Sequence, residues 1–434
     1  MYSDPQLSIA FMLLVAVLGV FALRGIVNGR AIFEYPTLIA FLGLAWIVPQ
    51  GIQLETSLES SYAGEGFWLY VIGCFLFLVL GFAIGRRVQL KRLTRGSNPG
   101  PARFDNHKLL AAALALTLVG AIAGYQIRGI DTSGMGGQWT GVITMWVLLA
   151  KANGFGLCLA VLVFARTGSL IALLIGVFAA LPIISSAFIG VRREAIFDLA
   201  VLTGGAWYLS KKKFPPRLLV LVAVIGGTVL LNTVGTIRAQ VRSGETSLVS
   251  ILTEPETYNQ FDFFDVDNTS SEVGLAQYDY WYANQTGNWE LGANHWNQLV
   301  HQYVPAFAFG REFKDSLKFS TLSTRLSTGQ EEGLDSLGST RTGFSDSYRG
   351  FGGFGVLVFA AIGCFFGALY ANSFIGVISG QYFYLVLLAE GLKAVTHSTS
   401  AFVAALPFTI ILSLFVLAQA RSSKKLPKRM RVKE

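Results

Sequence analysis

Long apolar runs alternate with short polar stretches along most of this 434-residue chain, and one 114-residue polar segment, residues 237–350, interrupts them. A run of about 20 uncharged residues can cross ~30 Å of hydrocarbon. The pattern predicts eleven transmembrane helices, near 7–25, 31–49, 66–85, 109–125, 140–163, 168–187, 191–209, 217–236, 352–371, 380–397 and 399–420. We therefore expect an all-α polytopic membrane protein in four parts: helices 1–8 over residues 1–236, the large polar segment over 237–350, helices 9–11 over 351–420, and a basic tail over 421–434.

Lysine and arginine distinguish the two ends of these helices. One set of flanks carries 21 of them, whereas the short loops on the other side carry 4. Because basic residues are retained in the cytoplasm, this contrast predicts a periplasmic N-terminus, a cytoplasmic C-terminus and a periplasmic large polar segment. The basic 86–108 linker and the 421–434 tail then account for the net charge of +8 as topology signals and contacts with anionic lipid, so we expect no nucleic-acid partner. We expect a multi-pass protein of the bacterial inner membrane.

The sequence lacks the motifs that are typical of several function classes. The chain has no P-loop, no GxGxxG fingerprint and no HExxH motif, which argues against an ATP-driven or nucleotide-binding enzyme. Its three cysteines lie inside apolar runs and form neither a disulfide framework nor a zinc pattern. No acidic cluster has a convincing metal-ligand spacing. We therefore expect neither a cofactor nor a metal, and we expect an activated group to come from a lipid-linked substrate or a gradient.

The large polar segment combines acidic and aromatic side chains. It holds 15 Asp/Glu against 8 Lys/Arg, and its middle is rich in Tyr258, Tyr278, Tyr280, Trp281, Tyr282, Trp289, Trp296 and Tyr303. Such a surface suits carbohydrate, although the same aromatics could instead lie at the bilayer interface or in a small core. Residues 295–308 are predicted to form a surface helix. His295 and His301 are candidate bases. At about 100° per residue they point some 120° apart, so the two side chains can hardly face the same reacting centre.

Arginines occur at three helix ends on the predicted outer face: Arg192, Arg193, Arg238, Arg242, Arg341 and Arg349. The planar guanidinium donates bidentate hydrogen bonds to phosphate, so this set could bind a lipid-linked diphosphate. The alternatives are pairing within the chain, for example between Arg193 and Asp198, and contact with lipid phosphates.

Ionisable residues also occur at membrane depth. Glu390, Lys393 and His397 form one stripe on the tenth helix, and Glu194 shares a helix face with Asp198 near the outer end of the seventh. Charges at this depth usually line a cavity or pair with each other. The stripe could be a proton path, a cavity wall or a structural Glu390–Lys393 pair. Lys151, in the fifth helix, could pair with Glu390.

The end of the polar segment carries the most specific motif. Asp346-x-Tyr348-x-x-Phe351-Gly352-x-x-Gly355 resembles the acid-x-Tyr-x-x-Phe-Gly-x-x-Gly exit of the Wzy-type O-antigen (oligosaccharide repeat-unit) polymerases, which more often have Glu at the acidic position. The Gly190-x-Arg192-Arg193 start of the seventh helix and the late outer loop are similar too.

The resemblance implies a GT-C-like fold. It also implies polymerisation of undecaprenyl-diphosphate-linked oligosaccharides at the periplasmic face, with the lipid bilayer and a chain-length regulator protein as partners. In this mechanism arginines stabilise the departing diphosphate, and a carboxylate or His takes a proton from the acceptor, with Asp346, Tyr348, His295 and His301 as candidates.

Three other functions stay open. A secondary transporter or flippase of lipid-linked sugars would use the Glu390 stripe. An O-antigen ligase is disfavoured because Asn294-His295 lacks the Ala-His-Asn-like context of the proposed ligase base. A non-enzymatic assembly partner would tolerate loss of the arginines.

Overall fold

A computed structural model describes residues 7–56, 64–95, 104–128, 130, 142–188, 193–213, 216, 272–321 and 342–422. The predicted eighth helix, 217–236, lies outside these residues. The helices are α1 (Ile9–Val27), α2 (Tyr35–Thr56), α3 (Glu65–Thr94), α4 (Asn106–Gln126), α5 (Val142–Thr167), α6 (Leu170–Phe188), α7 (193–211), α8 (Glu272–Thr286), α9 (Ala293–Tyr303), α10 (Gly343–Phe351), α11 (Val356–Phe374), α12 (Ile378–Thr396) and α13 (Thr399–Gln419). Two short helices, Ala306–Phe309 and Arg311–Ser316, follow α9.

The described residues confirm an all-α multi-pass membrane protein. Eight helical stretches are long and apolar enough to cross a bilayer: α1 to α6, the stretch Gly343–Phe374, and α13. Helices α7 and α12 occupy the positions of the predicted seventh and tenth helices but are less apolar, because α7 carries Glu194 and Asp198 and α12 carries Glu390 and Lys393. The number eleven therefore stays a prediction.

Glycines join α3 to α11 at very short range. Gly81 and Gly85 on α3 face Gly363 and Gly367 on α11, and both pairs have the four-residue spacing typical of close helix contacts in membranes. A Cβ atom at any of the four would overlap a backbone carbonyl of the facing helix; at Gly81 that carbonyl is the one of Ala360. The absence of side chains thus lets the two backbones touch, and the packing of α3 on α11 depends on these glycines.

Helical structure before the predicted ninth helix begins earlier than expected. The sequence pattern predicts a start near residue 352, whereas the chain is already helical in α10 from Gly343, with Thr342 as its N-cap, and reaches α11 through a 3-10 turn over Gly352–Gly355. Polar residues such as Ser345 and Arg349 made α10 look like a loop. They are buried nevertheless, because other helices supply their hydrogen-bond partners.

Candidate functional site

Asp346 lies in a polar pocket formed by α10, the start of α9 and the start of α13. Its carboxylate is 2 % exposed. Oδ1 accepts a hydrogen bond from Asn294 Nδ2 at 2.5 Å, and Oδ2 accepts from Thr399 Oγ1 at 2.7 Å and from the Ser400 backbone N–H at 2.8 Å. The backbone donor is available because it lies in the first turn of α13, where N–H groups lack helical partners. Three donors thus compensate the burial of this charge.

His295 lies at the edge of this pocket with a defined tautomer. The Thr399 hydroxyl donates its only hydrogen to Asp346, so it can only accept from His295 Nε2, which is 3.0 Å away. Nε2 therefore carries the proton, and Nδ1 of a neutral imidazole keeps a free lone pair. Nδ1 is buried, has no hydrogen-bond partner in the described part of the chain, and belongs to a ring that packs near Phe351. Nε2 is also 4.0 Å from Asp346 Oδ2.

Arg349 is also buried on α10, one helical turn after Asp346. Its guanidinium is 3.3 Å from Asp279 of α8 and 3.1 Å from Glu290, and Ser345 Oγ donates to Asp279 at 2.5 Å. Two carboxylates around one guanidinium hold α8 and the residues that follow it against α10. In this position Arg349 is 3 % exposed, which favours the pairing alternative over direct contact with a diphosphate. Its predicted role in diphosphate binding stays a prediction.

Tyr348 belongs to an aromatic cluster rather than to the Asp346 pocket. Its ring packs 4.2 Å from that of Tyr280 and near Tyr70 and Trp289, and its hydroxyl donates to Asn284 Oδ1 at 2.6 Å. Residues 346 and 348 are two positions apart on a helix and so point about 160° apart. The structure thus does not bring Tyr348 to the Asp346 carboxylate, and its catalytic role stays a prediction.

A second polar cluster surrounds Lys393 on α12. Its ammonium is 3.6 Å from Glu194, 3.8 Å from Asp198 and 3.6 Å from Glu390. His397 Nε2 is 3.6 Å from the same Glu194 carboxylate. The cavity residues predicted from the sequence are therefore brought together, and their charges face each other rather than lipid.

The pair suggested for Lys151 is present in the structure. Its ammonium lies 3.0 Å from Glu390 Oε1 and connects α5 to α12. His397 ends α12, and its Nδ1 lies 2.8 Å from Thr396 Oγ1. Only Ser398 separates His397 from Thr399, about 7 Å of extended chain. The Lys393 cluster and the Asp346 pocket therefore lie on the two sides of one turn.

The remaining predicted residues lie elsewhere. The positions of Arg192, Arg238, Arg242 and Arg341, and the side chain of Arg193, are outside the described residues. The His301 backbone carbonyl accepts a hydrogen bond from Lys314 at 2.7 Å, and burial lowers the pKa of that lysine. The predicted surface helix over 295–308 is observed as α9 and the short helix that follows it.

Asn294, Thr399 and Ser400 were not predicted as site residues. A signal was available, because the polar run Thr396-His397-Ser398-Thr399-Ser400 separates two helices and contains an N-cap, Ser398, whose side chain accepts from Ala401. Asp279 and Glu290 had no such signal, since they are 70 and 59 residues from their partner. In the described ranges no group of three or more His, Cys, Asp or Glu is arranged to hold a metal ion.

Comparisons with known proteins add no family to this description: no family model, no curated protein and no solved structure matches the chain. The fold and the site define a multi-pass α-helical membrane protein with a buried acid–histidine pocket at one end of its bundle.

Proposed function

We propose that this protein is a membrane glycosyltransferase with a GT-C-like fold that polymerises undecaprenyl-diphosphate-linked oligosaccharide repeat units at the periplasmic face of the inner membrane. The observation that carries the proposal is His295: its Nε2 donates to Thr399, and its Nδ1 has no hydrogen-bond partner among the described residues. It supplies a base beside the motif that resembles the polymerases, and the aromatic polar segment supplies a surface suited to sugars.

In this mechanism the acceptor hydroxyl of the incoming repeat unit attacks the anomeric carbon of the growing chain. The bond to the lipid diphosphate breaks, a glycosidic bond forms, and the hydroxyl proton passes to His295 Nδ1. In this mechanism Asp346 acts through His295 rather than taking the proton itself: it positions the ring through Thr399, and its charge, 4.0 Å away, stabilises the imidazolium that forms. Because Nδ1 is buried, the acceptor reaches it only when a neighbouring side chain such as Phe351 moves.

The departing diphosphate needs fixed positive charge. Arg192, Arg193 and Arg341 are the candidates for this role. We expect Arg192→Ala, Arg193→Ala or Arg341→Ala to abolish long chains in at least two of the three cases, and lysine to restore them only partly, since it lacks the bidentate fork. Normal polysaccharide ladders from all three alanine variants would remove arginines from the mechanism.

The decisive test is the lipid-linked product of a deletion strain. Loss of a polymerase leaves a single repeat unit, whereas loss of a ligase leaves long chains on the lipid carrier. The strain is then complemented with His295→Gln or Thr399→Val. We expect single units from His295→Gln and shortened ladders from Thr399→Val, at membrane levels matched to wild type. Long ladders from His295→Gln would exclude His295 as the base.

The Lys393 cluster favours a second candidate, a transporter or flippase of lipid-linked sugars. Three carboxylates lie within 3.8 Å of one ammonium inside an apolar bundle, an arrangement common in proton-coupled carriers. The two functions differ in where the substrate accumulates after deletion. A flippase defect leaves repeat units at the cytoplasmic face, protected from periplasmic glycosidases, whereas a polymerase defect leaves them exposed at the outer face.

A further inference from the structure

A groove of about 530 Å³ runs along the last turns of α3, at the end of the bundle away from Asp346. At the other end of α3, the Tyr70 hydroxyl contacts Ser347 of α10 at 2.8 Å, so Arg86 lies about 24 Å further along the helix axis. The volume is within the range of pockets that bind small ligands. Most of its described lining residues belong to α3, and Arg24 and Glu34 complete the basic end.

The lining changes from apolar to basic along α3. Val79, Phe82 and Ala83 form the first part, and Arg86, Arg87 and Lys91 follow further along the helix. From Val79 to Arg86 the axial distance is about 10 Å. This is the order of groups in a membrane lipid, whose chains lie in the hydrocarbon and whose phosphate lies at the interface.

The basic end of the groove is held in place by a buried carboxylate. Glu34, 3 % exposed, accepts from Arg24 Nη2 at 2.6 Å and from Arg86 Nη1 at 2.8 Å. The Arg86 guanidinium also lies 5.6 Å from the centre of the Tyr370 ring. Both arginine side chains remain about 40 % exposed, so their other N–H groups can meet a ligand. Mobile surface side chains would lose more conformational entropy on binding than these do.

The lining carries a clear excess of positive charge. Among the described residues of the lining, Arg24, Arg86, Arg87 and Lys91 supply four cations and Glu34 supplies the only carboxylate. Guanidinium groups and phosphate form bidentate, charge-assisted hydrogen bonds. A zwitterionic headgroup would place its own cation among these four. The groove therefore suits a ligand with net negative charge and an apolar tail.

We propose that this groove is a binding site for the phosphate headgroup of an acidic membrane lipid, whose chains pack on Val79, Phe82 and Ala83. The inference is independent of the proposed glycosyl transfer. A soluble phosphate or diphosphate could meet the same arginines, but it would leave the apolar wall of the groove empty. A lipid would contact both the basic and the apolar part of the lining.

The test compares two double variants of the full-length protein. Arg87→Gln with Lys91→Gln removes two lining cations that have no ion pair among the described residues, so the Glu34 contacts remain. Arg92→Gln with Arg95→Gln removes two cations from the end of the same helix that do not line the groove. The control thus has the same net charge and the same helix context.

Binding is measured by native mass spectrometry of detergent-purified protein titrated with phosphatidylglycerol, with phosphatidylcholine, or with inorganic pyrophosphate. We expect phosphatidylglycerol to bind wild type and the control with affinities within twofold, and the groove variant at least tenfold more weakly. Equal retention by the two double variants, or equal affinity for phosphatidylcholine, would refute the acidic-lipid site. Displacement of phosphatidylglycerol by equimolar pyrophosphate would show that a soluble anion is the ligand.

Thermal unfolding of each variant without added lipid accompanies the titration. The single variant Arg87→Gln is included in case the double variant does not fold. It should weaken phosphatidylglycerol binding at least threefold, and an affinity equal to that of Arg92→Gln would equally contradict the site.

Discussion

Replacing Asp346 by asparagine tests whether the buried carboxylate works through His295. Asparagine keeps the size of the side chain but turns one acceptor oxygen into a donor and removes the charge. If its oxygen stays with Thr399 and Ser400, its NH₂ group faces the amide of Asn294, which also donates at that position. Asn294 must then turn its own amide, which breaks its 3.2 Å hydrogen bond to Ser400 Oγ.

The expected cost follows from these contacts. One hydrogen bond to a charged group contributes about 1.5–3 kcal/mol, and one lost neutral bond adds about 1 kcal/mol. Part of that cost falls on folding. The part that acts on the reaction is the loss of a negative charge 4.0 Å from the His295 ring, the proton acceptor of the proposed mechanism. A loss of at least ~1.4 kcal/mol in transition-state stabilisation predicts at least tenfold slower polymerisation.

The assay is extension of lipid-linked repeat units by membranes with matched protein levels, with the chain-length ladder in cells as a second readout. Asp346→Glu should recover part of the rate because it restores the charge. Asp315→Asn is the matched control, since Asp315 is an exposed acid of the same segment that pairs only locally, with Lys318 and Arg311 among the described residues. A wild-type rate and ladder from Asp346→Asn would refute this reasoning and leave Asp346 with a structural role.

Three further predictions concern the bundle itself. Gly363→Val should overlap the α3 backbone, cost about 1–3 kcal/mol or more, and lower both the unfolding temperature and the membrane level of the protein. The same change at Gly19, where the structure leaves open space, should be tolerated, and equal behaviour of the two variants would contradict the close contact. Lys393→Met leaves three carboxylates without their shared cation and should lower the free energy of unfolding by about 3–5 kcal/mol, measured by fluorescence-monitored unfolding. Lys393→Arg should retain much of this stability, and unchanged unfolding of Lys393→Met would mean that the cluster is not an ion-pair network. Cysteine at Ser97 should be labelled only after permeabilisation and cysteine at Asn288 in intact cells; the reverse pattern would invert the predicted topology.

Apolar runs of spanning length predicted the eight membrane-length helices of the described residues, because burial in a bilayer imposes length and apolarity on each one locally. The charged residues were harder to place from sequence. Glu390 and Lys393 are three positions apart on one helix, so their proximity follows from helix geometry. The partners of Arg349 are 59 and 70 residues away, and only the packing of α8 against α10 brings them together.

Only part of the site could be predicted from sequence, again because residues far apart in the chain meet only through helix packing. Asp346 was identified from a motif, whereas the residues that donate to it come from two other helices. Thr399 and Ser400 look like ordinary helix-capping residues in the sequence, and their side-chain and backbone donors gain a further role only when α10 packs across the start of α13. The GxxxG pairs on α3 and α11 were readable as motifs, but nothing local indicates that they face each other.

The contact between α3 and α11 has a consequence for the biosynthesis of the protein. Gly81 and Gly363 are separated by 282 residues. At roughly 5–20 residues per second, the ribosome takes about 14–56 s to make this interval. During that time the glycine face of α3 is in the membrane without its partner. The α3–α11 pair therefore forms late, and a ribosome stall or truncation before α11 leaves an inserted helix whose small-residue face is open to the wrong neighbour.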